Sequence, residues 1–126
     1  MSGSKILIVD DEEDIRKTIV YQLKAIGYEV IIAQDGEEGL QKARGETPDL
    51  IILDLMLPKI DGHKVCGLLK NDARYKGIPI ILFTARVQKE DVELSKEVGA
   101  DAYITKPFET SDLIGKVKEL LEKEGS

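Results

Sequence analysis

Ile6-Leu7-Ile8-Val9-Asp10-Asp11 is the stretch from which the fold can be read. Four aliphatic residues in a row, with no alternation, fit a strand covered on both faces. Two carboxylates follow at once, where the strand leaves the core. The arrangement returns downstream. Pro48 breaks the chain ahead of Leu50-Ile51-Ile52-Leu53, which runs into Asp54, and Pro79-Ile80-Ile81-Leu82-Phe83 runs into Thr84. Two shorter runs, Val30-Ile31-Ile32 and Ala102-Tyr103-Ile104, complete a set of five strands, and the last leads to Lys106.

Helical spacing fills the intervals. Ile15, Ile19, Leu23 and Ile26 recur at three or four residues, and Gly27 ends that helix because glycine enters the left-handed conformation cheaply. A short helix follows over 37–44, with Leu40 and Ala43 inward. Val65, Leu68 and Leu69 mark a third. Val92, Ser95 and Val98 mark a weakly apolar fourth, closed by Gly99. Leu113, Val117, Leu120 and Leu121 mark the last.

Alternation of strand and helix implies an α/β fold, a parallel sheet with helices on both faces. The first, third and fourth strands are almost wholly apolar and belong in the centre. The second carries Glu29 and the fifth is short with polar neighbours, so both belong at edges. Right-handed crossovers then give a five-stranded sheet of order 2-1-3-4-5, the doubly wound (βα)5, flavodoxin-like arrangement. Ligands in such sheets bind beyond the carboxyl ends of the strands, here strands one and three. A length of 126 residues accommodates one domain. It is expected over residues 5–124, with short termini at 1–4 and 125–126 and no output domain after the last helix.

Lys and Arg number 18 against 24 Asp and Glu, a formal net charge of −6. Nucleic acids and anionic membranes are bound by clustered cations, so direct binding to either is not expected. The single cysteine, Cys66, excludes an internal disulfide and a cysteine-based zinc cluster, and reads as a small buried apolar residue. The single histidine, His63, excludes a multi-histidine metal site and reads as an exposed polar side chain near the start of the third helix. No apolar run approaches the ~18 residues of a transmembrane helix. The N-terminus lacks the pattern of a signal peptide, so a cytoplasmic location is expected.

In a parallel sheet the strand ends lie on one edge, which brings Asp10, Asp11, Asp54, Thr84 and Lys106 together. A nucleotide-binding first turn would carry glycines whose N–H groups cradle phosphate. This one carries carboxylates, which repel phosphate unless a cation stands between. Asp10, Asp11 and Asp54 therefore point to a hard divalent ion, and Mg2+ fits because it takes oxygen ligands and commonly joins carboxylates to a phosphate. Taken singly, Asp11 or Asp54 would serve as well as the N-cap of a following helix. An aspartate can also attack phosphorus and form an aspartyl phosphate. Phosphoryl transfer then needs the equatorial oxygens neutralised, by Mg2+, by the Lys106 ammonium, and by the Thr84 hydroxyl with backbone N–H groups. Ala85 leaves room for a donor, and Pro107 fixes the turn after Lys106.

Val9-Asp10-Asp11, 53–58 (LDLMLP), Asp61-Gly62, Phe83-Thr84-Ala85, 99–103 (GADAY) and Lys106-Pro107-Phe108 resemble, in order and spacing, the receiver domain of two-component response regulators, the CheY-like family. That resemblance implies that Asp54 is the phosphoacceptor and that Asp11 binds Mg2+ directly and Asp10 mainly through water. The backbone carbonyl of Met56 is implied as a further ligand, with Thr84 and Lys106 on the phosphoryl group and a cis peptide at Lys106–Pro107. It implies a switch in which Thr84 moves to the phosphoryl group and Tyr103 rotates inward, changing the surface of helix four, strand five and helix five. The implied phosphodonor is a histidine kinase or phosphotransfer protein, and the output is an unknown partner protein. The protein would be a monomer that could dimerise on phosphorylation. Asp101, Asp112, Lys116 and Lys123 loosely match the pairing charges of the winged-helix subfamily, but Ala102 stands where a second aspartate is usual, and the charges are read as a solvated face. Met56 and Arg86 flank the site where they could gate water. On this reading the chain is a phosphoacceptor regulator, not an enzyme. The alternative is a Mg2+-dependent phosphohydrolase of haloacid-dehalogenase type, which usually carries an acid where Met56 stands.

Overall fold

The opening aliphatic run forms β1 (Lys5–Val9), and the chain continues as α1 (Glu13–Ile26), β2 (Glu29–Ala33), α2 (Gly36–Glu46) and β3 (Leu50–Asp54). Then come α3 (Gly62–Lys70), β4 (Ile80–Thr84), α4 (Lys89–Glu97), β5 (Ala102–Thr105) and α5 (Thr110–Gly125). The structure, a computed structural model, describes residues 3–84, 89–106 and 109–125. The expectations for Ala85, Arg86, Pro107 (with the cis peptide before it), Phe108 and the side chain of Lys123 fall outside the described residues.

The five strands form one sheet in the order β2-β1-β3-β4-β5, parallel throughout, with the two less apolar strands at its edges as expected. Ile8 stands in register with Ile32 and Ile52, Leu53 with Leu82, and Asp54 with Phe83. The pleat divides the interior into two layers. Leu7, Val9, Ile51, Leu53 and Leu82 meet Leu40, Val65, Cys66 and Leu69 of α2 and α3. Ile6, Ile8, Ile52, Ile81 and Phe83 meet Ile19 and Leu23 of α1 and Leu113 and Val117 of α5. Each such aliphatic side chain contributes about 1.5–3 kcal/mol on burial, so the central strands are the main source of stability.

Helix ends follow from local chemistry. Gly27 closes α1 at φ 113°, where a Cβ would be strained. Asp35 caps α2 by accepting from the Glu38 N–H at 2.8 Å, and Asp61 caps α3 by accepting from the Lys64 N–H at 3.0 Å. By contrast, Glu12 occupies the N-cap of α1 and makes no side-chain cap bond. Asp54 ends β3 well before α3 begins. Asp35 and Asp61 thus do the capping that a lone aspartate after a strand suggests, and Asp10 and Asp54 are left for other work. No helix among the described residues is long and apolar enough to cross a membrane.

Candidate phosphoryl and metal site

Asp10 follows β1 and Asp54 ends β3, on adjacent strands, so their side chains meet at the carboxyl edge. Each uses one carboxylate oxygen to hold its own loop. Asp10 Oδ1 accepts from the Glu12 N–H at 2.9 Å, and Asp54 Oδ1 accepts from the Met56 N–H at 3.0 Å. The other oxygen of each faces Lys106, whose Nζ lies 3.1 Å from Asp54 Oδ2 and 3.6 Å from Asp10 Oδ2. The Glu12 side chain reaches the same ammonium at 2.8 Å.

The backbone fixes Lys106 in turn. Its N–H donates to the Thr84 carbonyl at 2.7 Å, which ties the end of β5 to the end of β4. Its Nζ lies 4.6 Å from the centre of the Phe83 ring. A ring face attracts a cation and also removes water from it. Beneath the site, the buried Arg16 donates through Nη1 to the Asp10 carbonyl at 2.7 Å, holding the start of the acidic loop.

The electrostatics are unbalanced. Carboxylate oxygens of Asp10, Glu12 and Asp54 all lie within 4.8 Å of one another. Among the described residues, three carboxylates against one ammonium leave two negative charges in a site where Asp10 and Asp54 are buried. Asp10 Oδ2 has no hydrogen-bond partner among the described residues. Burial pushes the Asp10 carboxyl from 3.8 up to about 6; the Glu12 N–H opposes this and the nearby Asp54 charge adds to it. For Lys106 burial works against the charged form, but the Glu12 hydrogen bond and the Asp54 carboxylate outweigh it, and its pKa is raised. An orphaned, buried carboxylate oxygen among hard oxygen donors fits a small divalent cation such as Mg2+.

Of the expected site residues, Asp10, Asp54 and Lys106 meet directly. Asp11 is exposed, and the third carboxylate beside Asp10 and Asp54 is that of Glu12. Glu12 is not among the residues the sequence singled out; its place at the turn into α1 was the available signal. Met56 is 52% exposed at the mouth. Thr84 is fully buried at the end of β4. Tyr103 is half-buried, stands in register with Leu82 and packs on the layer of α2 and α3. Asp101 is committed internally, to Lys70 Nζ at 2.8 Å and to the Ile80 N–H at 2.8 Å. Lys116 pairs along its own helix with Glu119 at 3.4 Å. Cys66 is buried as expected, and burial pushes its thiol up to about 12. His63 corrects an expectation: it is 6% exposed, because α4 covers it and Ser95 Oγ lies 3.0 Å from its Nε2.

Comparison with known proteins agrees with this geometry. Residues 6–118 match the family model of the response regulator receiver domain. The chain is 48% identical over 121 residues to the alkaline phosphatase synthesis transcriptional regulatory protein PhoP of Bacillus subtilis, covering 96% of this chain and 50% of that protein. It thus spans about half the length of that relative. It is 37% identical to protein PilG of Pseudomonas aeruginosa, covering 92% of this chain and 86% of that one. Among solved structures, the CheY-like response regulator receiver domain protein of Methanospirillum hungatei superposes with a TM-score of 0.93 at 35% identity, covering 98% of each chain. The chain belongs to the receiver domain family of two-component response regulators.

Proposed function

We propose that this receiver is a phosphorylation-activated switch whose phosphoacceptor is Asp54. The observation that supports this most directly is the placement of Asp54 Oδ2 against the Lys106 ammonium, 3.1 Å away, beside two further carboxylates. Asp54 Oδ2 attacks the phosphorus of a phosphohistidine on a histidine kinase or phosphotransfer protein. An O–P bond forms as the P–N bond breaks, and the donor ring, already protonated at its other nitrogen, leaves as neutral imidazole. Water later cleaves the acyl phosphate, returning the carboxylate and inorganic phosphate. The receiver thus promotes its own phosphorylation and dephosphorylation.

Asp10, Asp54, the Met56 carbonyl, and Asp11 or Glu12 from the same loop are the groups that would hold Mg2+. Bound there, Mg2+ supplies positive charge for the phosphoryl oxygens. Lys106, held by its backbone and by the Phe83 ring, neutralises a second oxygen, and the Thr84 hydroxyl donates to a third. Thr84 and Tyr103 then form the switch. Thr84 lies two residues past Leu82, the register partner of Tyr103, so a shift at the strand end is felt one strand away. The surface of α4, β5 and α5 is what an output protein would read. The unit is residues 5–124, acting in the cytoplasm without direct contact to nucleic acid or membrane. It is a monomer that could pair on phosphorylation. With Mg2+ and acetyl phosphate, intact-mass spectrometry should show one added phosphoryl group, and Asp54→Asn should gain none. Full labelling of that variant would sink the assignment.

A further inference from the structure

Helices α3 and α4 each run nine residues but are seated differently. α3 buries Val65, Cys66 and Leu69. Among the described side chains of α4, Ser95 alone is buried; Val92 is half-buried and Leu94 is 40% exposed. Helices in proteins owe most of their stability to a packed apolar face, and α4 has little of one. Its buried contact is polar instead. Ser95 Oγ lies 3.0 Å from His63 Nε2, with the two residues 2% and 6% exposed. Just past α4, the Val98 carbonyl adds a weaker contact, 3.7 Å from Cys66 Sγ.

His63 is also fixed to the phosphoacceptor strand. It follows Gly62, whose N–H donates to the Leu55 carbonyl at 2.9 Å. A Cβ at position 62 would run into the Asp54 carbonyl oxygen and Leu55 Cα. The first turn of α3 therefore lies directly on the backbone of Asp54 and Leu55. From this chain of contacts we infer that His63 is a positioning residue, whose hydrogen bond to Ser95 sets where α4 sits relative to Asp54. The link is separate from Thr84 and Tyr103. It rests on the reading above only in taking α4 as part of the output surface.

The test is amide hydrogen exchange, followed by mass spectrometry on the full chain without phosphodonor. His63→Leu and Ser95→Ala should each speed exchange over 93–98 about tenfold, the scale of one lost buried hydrogen bond, while β1 and β3 stay within about twofold. His63→Gln, which keeps a polar nitrogen near the place of Nε2, should restore most of the protection. The effect of the double variant should fall short of the sum of the two single effects, since both remove the shared bond. Unchanged exchange over 93–98 in both single variants would overturn the inference. So would acceleration spread evenly over the sheet, additive effects in the double variant, or no rescue by Gln. Failure here leaves Asp54 as phosphoacceptor untouched, and failure of Asp54 to gain a phosphoryl group leaves the seating of α4 untouched.

Discussion

Ile8 and Asp10 stand two residues apart at the same 0% exposure, and Ile52 and Asp54 repeat the pair on the neighbouring strand at 0% and 3%. Burial acts on the two members of each pair with opposite sign. For the isoleucines it removes apolar surface from water and stabilises the fold. For Asp10 it strips hydration from a charge, and its Oδ2 finds no hydrogen-bond partner among the described residues in exchange. One strand therefore supplies stability along its length and gives some of it up at its end. The end is where the charged groups meet, and the apolar length offsets what their burial costs.

The comparison breaks most visibly at the apolar member. Ile52→Ala should lower unfolding free energy by about 2–5 kcal/mol in urea titrations, since it opens a cavity under α1 and α5. A loss below about 1 kcal/mol would mean the strands carry less of the stability than their burial implies. The charged member should respond next, to metal. Mg2+ at about a hundred times its dissociation constant should stabilise the protein by about 2.7 kcal/mol, read as a rise in melting temperature. A melting curve indifferent to Mg2+ would count against the site.

The smallest effect comes from the proton. Burial raises the Asp10 carboxyl from its ordinary 3.8 to about 6, so the folded state binds the proton more tightly. Without metal, stability should rise as pH falls from about 6 towards 4, and the penalty is fully present above about 6. Asp10→Asn should flatten that slope. It should also stabilise the metal-free protein at neutral pH by about 1 kcal/mol or more, one pKa unit being worth about 1.4 kcal/mol. Chemical denaturation across pH in EDTA checks both. An unchanged slope in the variant would move the penalty to another group.

The strand ends were legible in the sequence because continuous aliphatic runs that stop at Asp10, Asp54 and Thr84 admit one reading in a parallel sheet. The strand order was legible because Glu29 and the polar surroundings of β5 mark the edges. Glu12 was not, since its reach to Lys106 depends on how the loop after Asp10 turns. His63 was not, since its burial depends on α4, packed against it from 32 positions further along the chain. Short-range pattern places elements and strand ends; which polar side chains they bury is decided by partners distant in the chain.

Gly45, Gly77 and Gly115 have nothing within 4 Å of where a Cβ would be, whereas Gly62 meets the backbone of Asp54 and Leu55. Three glycines are therefore open to substitution on steric grounds, while position 62 has an alphabet of one letter. A sequence change there would register at the loop after β3 itself, because the space a side chain needs is already occupied by the main chain that carries Asp54.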